Sequence, residues 1–191
     1  MLLRLVFSPL LGLAVTTALG AALIAGGAQV SMALPGTSIP QTLQTLGVLL
    51  AGGLFGPFVG AASVVAYLAL GAAGVPVFAT GSGGWDALLG PTGGYLWGFL
   101  VAAIVIGFWP AKRTARGLAT LLIGCLVAHL IILSLGAARL SQLIGWVNAY
   151  ERGVEPFLLG GAAKSAAAAA ILWGWRQMRT RTRVPRWLLP T

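Results

Sequence analysis

Six apolar runs, nearly free of charge, fill most of this 191-residue chain and make lipid the solvent in which it must fold. They extend roughly over Leu5–Ala28, Ile39–Phe55, Phe58–Ala73, Ala87–Trp109, Leu118–Ala138 and Phe157–Trp175. Only 8% of the residues are charged and 58% are hydrophobic, whereas a soluble domain carries about 25% charged residues. In hydrocarbon every backbone N–H and C=O must be paired inside the protein, which leaves helices or closed barrels. These runs are too long to be the ~10-residue alternating strands of a barrel. The expected fold is therefore an all-α integral membrane protein. It is a compact bundle of six transmembrane helices in one domain over residues 1–175, with a basic cytoplasmic tail at 176–191.

A span needs about 20 residues. The second and third runs are short and meet at Phe55-Gly56-Pro57-Phe58, so residues 39–73 form either two short spans or one re-entrant hairpin. Either choice crosses an even number of times. The first run exceeds the ~7–15 residues of a signal-peptide core and reads as a transmembrane helix. Arg4, Lys112, Arg113, Arg116, Arg176, Arg179, Arg181, Arg183 and Arg186 then share one side, against Arg139 and Arg152 on the other. The positive-inside rule places the larger group in the cytoplasm, and with it both termini. The chain is expected in the cell (inner or plasma) membrane, multi-pass. Its net charge of +9 flanks apolar runs as topology signals do, so its partner is membrane lipid and no nucleic acid is expected.

Lys164 is the one lysine or arginine that hydropathy places inside a span. A cation there costs roughly 2.5–3.5 kcal/mol by insertion scales and by default marks function. Gly160 and Gly161 lie on its face at i−4 and i−3, leaving room for a ligand or another helix. Lys164 suits the floor or wall of a pocket open to the outside; the bland alternative is snorkelling or pairing with Asp86 or Glu155.

Three loops share the external side: Met32–Gln44, Ala73–Tyr95 and Leu140–Pro156. The segment 74–95, GVPVFATGSGGWDALLGPTGGY, is rich in glycine and aromatic residues and reads as a structured binding loop. Within it Asp86 is either a helix N-cap or an acceptor for ligand N–H groups. Trp85 and Tyr95 are aromatic candidates, set against an interfacial belt. Gln41, Thr42, Gln44 and Thr45 open the second run as caps or as hydrogen-bonding partners of a neutral ligand. Ala14, Ala18 and Ala22 form a small-residue stripe for internal packing or for docking to another membrane subunit.

Enzyme chemistry is largely excluded. The chain has no H-E-x-x-H, no C-x-x-C and no paired carboxylates, and its single cysteine, Cys125, allows neither an internal disulfide nor a thiolate metal cluster. Gly160-Gly161-Ala162-Ala163-Lys164-Ser165 lacks the glycine before lysine that a P-loop requires. No catalytic residue, metal or cofactor is expected. The surviving enzyme alternative is an intramembrane serine protease using Ser82 and His129, which would need hydrogen-bonding contact between them.

Gly74-Val75-Pro76-Val77-Phe78, then Gly81–Gly84, then Leu89-Gly90-Pro91-Thr92-Gly93-Gly94-Tyr95 resembles the BioY family, the biotin-specific substrate-binding components of energy-coupling-factor transporters. Gln44-Thr45-Leu46 leading to Gly56-Pro57, and Pro156-Phe157 followed by Lys164, are similar to that family too. The resemblance covers about Ile39–Ala170. It implies a six-helix subunit that captures biotin from outside and works with one transmembrane coupling subunit and two ATPase subunits. It implies that Lys164 meets polar or anionic groups of the ligand, and that Ala14, Ala18 and Ala22 contact the coupling subunit. The family pattern Pro-Phe-x-x-Gly-Asp-x-x-Lys has Gly161 at its acidic position here, so Asp86, Thr80 or a backbone carbonyl is left to receive ligand N–H groups. A stand-alone vitamin carrier is the remaining transport alternative.

Overall fold

A computed structural model describes residues 9–112 and 114–181; Arg4, Arg113, Arg183 and Arg186 lie outside them. The described residues are mostly helical. The helices are α1 (Pro9–Gln29), α2 (Gln44–Phe55), α3 (Pro57–Ala72), α4 (Trp85–Leu89), α5 (Gly93–Phe108), α6 (Ala115–Ile144), α7 (Trp146–Gly153) and α8 (Leu158–Arg181). Three stretches are long and apolar enough to cross a membrane: Leu10–Gln29, Arg116–Ile144 and Trp146–Met178. Their outward side chains, among them Leu10, Leu19, Ile123, Leu130 and Leu159, are apolar and exposed, as a lipid-facing surface requires.

The breaks follow from local chemistry. Gly56 separates α2 from α3 with φ 85° and ψ 176°, a conformation open essentially to glycine alone, and Pro57 starts α3 where its missing N–H costs nothing. Residues 39–73 are thus two short helices of 12 and 16 residues, about 18 and 24 Å long. The Ala87–Trp109 run is not one span as expected: Gly90-Pro91 divides it into α4 and the 16-residue α5. The expected loop at 140–156 is also largely helical, because α6 continues to Ile144 and Gly145, at φ 79°, turns the chain into α7. α8 runs past Trp175 into the basic segment as far as Arg181.

α2 lies at the centre and packs against α1, α3, α5 and α8. Its contact with α3 is backbone to backbone, since a Cβ on Gly60 would fall 2.6 Å from the Gly52 Cα. Small residues of this kind let membrane helices approach without a hydrophobic drive from water. Val48, Leu49, Ala102, Ile106, Leu121 and Leu172 are fully buried between the helices.

At one end of the bundle the chain forms a cover. Ser31–Met32 (β1) and Gln41–Thr42 (β2) pair antiparallel, Ser31 opposite Thr42 and Met32 opposite Gln41. Leu43 N–H donates to the carbonyls of Gly27 and Val30, pinning the start of α2 to the end of α1. A loop with a 3-10 turn at Ala79–Gly81 joins α3 to α4 at the same end.

Candidate functional site

Beneath this cover lies a cavity of about 210 Å³. Five helices and the cover line it, α4 through Ala87. α2 contributes Gln44 and Thr45, and α5 contributes Tyr95, Leu96 and Phe99. From α6 come His129, Ile132 and Leu133, at the i, i+3, i+4 spacing of one helix face. α8 contributes Lys164, and Ile39, Phe78 and Thr80 close the top. The walls are mainly aliphatic and aromatic with a few polar groups, the usual make-up of a small-molecule pocket.

Lys164 is partly buried in the second turn of α8, and its ammonium donates to the Thr42 carbonyl at 2.9 Å. It pairs with neither Asp86 nor Glu155. An ammonium has three N–H donors. Two therefore remain for another acceptor, since Thr42 is its one hydrogen-bond partner among the described residues.

Gln44 borders the cavity, with one N–H and one carbonyl lone pair of its amide committed to the protein. It donates to the Tyr67 hydroxyl and accepts from the Thr42 hydroxyl at 3.0 Å. Tyr67 in turn meets Phe78 edge-on at a centroid distance of 5.3 Å. Tyr95 presents its ring, while its hydroxyl donates to the Gly153 carbonyl at 2.7 Å and ties α5 to α7. Thr80 combines a position in the lining with φ 59°, the one positive φ of a non-glycine among the described residues. A β-branched residue held there is strained, a condition that clusters at ligand clamps.

Other candidates stand apart. The Gln41 side chain lies against Gly160, where any Cβ would collide with its amide. Gly161 is covered by His129, whose ring would stand 2.9 Å from a Cβ at 161. The space at both glycines is thus taken by protein side chains. Trp85, at 62% exposure, and Asp86 are on the surface of α4 outside the cavity lining. Asp86 is not the N-cap, because Gly84 holds that position and no side chain caps the helix. Ala14, Ala18 and Ala22 are exposed on α1, on the outer surface of the bundle.

Ser82 and His129 both border the cavity without forming a dyad. The Ser82 hydroxyl donates to the Ala79 carbonyl at 2.8 Å, and His129 Nδ1 faces Ser165 Oγ at 3.5 Å. No hydrogen bond joins Ser82 to His129 among the described residues. The apolar walls from α5 and α6 are not among the candidates that the sequence singles out, although the spacing of His129, Ile132 and Leu133 carries the signal.

Comparison with known proteins agrees with this architecture. The BioY family model matches residues 8–181. A Pyrococcus horikoshii protein named "Probable biotin transporter BioY" is 42% identical over 154 residues, covering 81% of this chain and 90% of that one. The biotin transporter BioY of Thermotoga maritima is 38% identical over 151 residues, covering 78% and 87%. The crystal structure of an S-component for biotin from an ECF-type ABC transporter superposes with TM-score 0.78 at 29% identity, over 87% of this chain and 92% of that one.

Proposed function

Because this chain belongs to the BioY family, we propose that it is the substrate-capture component of a biotin uptake system, a transport protein and not an enzyme. The observation that carries the reading is the cavity under the cover, with Lys164 as its cation and two of that cation's donors unused. Biotin has an apolar thiolane body fused to a neutral cyclic urea, and an apolar tail that ends in a carboxylate. The aromatic and aliphatic walls suit the body and tail. Lys164 suits an anionic or acceptor group, and Tyr95 and Thr80 border the same space.

On this reading the cavity opens to the outside of the cell membrane, inner or plasma, and both termini are cytoplasmic. The six spans of residues 1–175 are α1, α2, α3, α5, α6 and α8, with the short ones shielded in the bundle. The basic residues from 176 onward form a cytoplasmic tail. Gln41 acts from the cover, and Gln44 borders the ligand space with its amide anchored on Tyr67. Trp85 and Asp86 act from the rim, where they meet a ligand during entry. Gly161 contributes the space that His129 fills. The exposed Ala14, Ala18 and Ala22 dock a transmembrane coupling subunit of an ECF module that also holds two ATPase subunits. No cofactor takes part; biotin is cargo.

The deciding experiment is binding of labelled biotin to the purified protein in detergent, with mass spectrometry of small molecules retained through purification. Saturable binding and copurified biotin are expected. Failure to bind biotin while another small molecule is retained would overturn the assignment.

A further inference from the structure

Thr45 Oγ1 is the one side-chain nitrogen or oxygen, itself fully shielded from solvent, without a hydrogen-bond partner among the described residues. Thr45 is 8% exposed and borders the cavity. A buried hydroxyl left unpaired costs roughly 1–3 kcal/mol. An orphan of this kind at a cavity wall is a group waiting for a partner.

His129 is a second polar group on the same cavity, from a different helix. It is 4% exposed, and its Nδ1 faces the Ser165 hydroxyl, which donates to the Cys125 carbonyl at 3.3 Å. That contact leaves Nε2 without a protein hydrogen bond among the described residues. The ring also fills the space beside Gly161, where Cδ2 and Nε2 would each lie 2.9 Å from any Cβ. The α8 backbone therefore presses on the ring from one side and the cavity borders it on another.

Both groups are neutral hydrogen-bonders, in contrast to the ammonium of Lys164. Between them they offer a hydroxyl that can donate or accept and an imidazole nitrogen that, as one tautomer, accepts. A cyclic urea presents two N–H donors and one carbonyl acceptor, which is the complementary set. We propose that Thr45 Oγ1 and His129 Nε2 form a subsite that binds the urea of biotin and sets the selectivity of this cavity for it. The proposal rests on the biotin reading above.

The test measures Kd for biotin and for biotin methylated on a urea nitrogen, using the full-length protein in detergent. The proteins are the wild type, Thr45→Val, Thr45→Ser and His129→Ala. Loss of one such bond corresponds to roughly a tenfold rise in Kd. Thr45→Val and His129→Ala should each weaken biotin by about that factor, and Thr45→Ser, which keeps the hydroxyl, should restore it. The ratio of the two ligands' Kd values should shrink in Thr45→Val and His129→Ala. A structural role alone would weaken both ligands equally and leave the ratio unchanged, which overturns the proposal. Unchanged biotin affinity in both variants overturns it while leaving the biotin reading intact. A wild-type protein that does not bind biotin overturns that reading first, and the subsite with it.

Discussion

Replacing Lys164 by alanine removes the one cation that lines the cavity among the described residues and is the perturbation whose size the structure best defines. One of the three ammonium donors is held by the Thr42 carbonyl at 2.9 Å, leaving two for cargo. A hydrogen bond to a charged group contributes about 1.5–3 kcal/mol net. One such bond to biotin therefore predicts a rise in Kd of roughly 10- to 150-fold for Lys164→Ala. Lys164→Met, which keeps the apolar stem against the wall, separates the charge from the packing and should give most of the same loss. The assay is equilibrium binding of labelled biotin in detergent, with the melting temperature of each variant as a control for folding. An affinity within about twofold of wild type in both variants would show that the ammonium does not touch the cargo, and the assignment of Lys164 would fall.

Further outcomes follow from backbone and packing. Thr80→Gly relieves a strained positive φ, so thermal stability should rise while biotin affinity falls if the strain helps shape the rim; the strain itself is about 1–3 kcal/mol, and paired melting and binding curves test both. Gly56→Ala places a Cβ at φ 85° and ψ 176° and should lower the melting temperature at a cost of about 1–3 kcal/mol, with the cavity left intact; an unchanged melting curve would refute the role given to this break. Gly161→Asp sets a side chain against the His129 ring and should reduce folded yield or binding. His129→Ala in the same chain should recover the folded yield, though not the affinity that His129 itself supplies, and a failure of the pair to interact would contradict the contact.

Much of the fold was legible because membrane helices are written in long apolar runs, whose limits depend only on composition. Of the runs at 5–28 and 157–175, the described residues 9–28 and 158–175 fall in α1 and α8. The errors fall where a local conformation overrides hydropathy. Gly90-Pro91 divides the apolar run from Ala87, and Gly145 turns residues expected as loop into a second helix after α6. In the site, Lys164, Thr80 and Tyr95 could be picked out because a cation in lipid or a position in an aromatic glycine loop is visible in one dimension. Thr45 and His129 could be seen but not ranked. Their importance depends on an absent partner for one and on the ring against Gly161 for the other, and both are relations between helices distant in sequence. Trp85 shows what a loop position leaves open: it reads as a binding candidate in sequence, and α4 sets it on the surface outside the cavity lining.

The acceptor that Thr42 offers to Lys164 is a main-chain carbonyl, and this decides which changes the contact tolerates. Substitution at residue 42 leaves that oxygen in place, so the amino-acid alphabet there is open as far as this bond is concerned. Spacing is not open. The strand that carries this carbonyl is held in register, Ser31 opposite Thr42 and Met32 opposite Gln41, and pinned at Leu43 to the end of α1. Adding or removing one residue between the two strands would slip the pairing and turn alternate groups to the opposite face. The length of the segment from 33 to 40 thus carries a constraint of its own, beside that on the buried Ile39 which closes the cavity, and drift in the rest of this cover should occur by replacement and not by insertion or deletion.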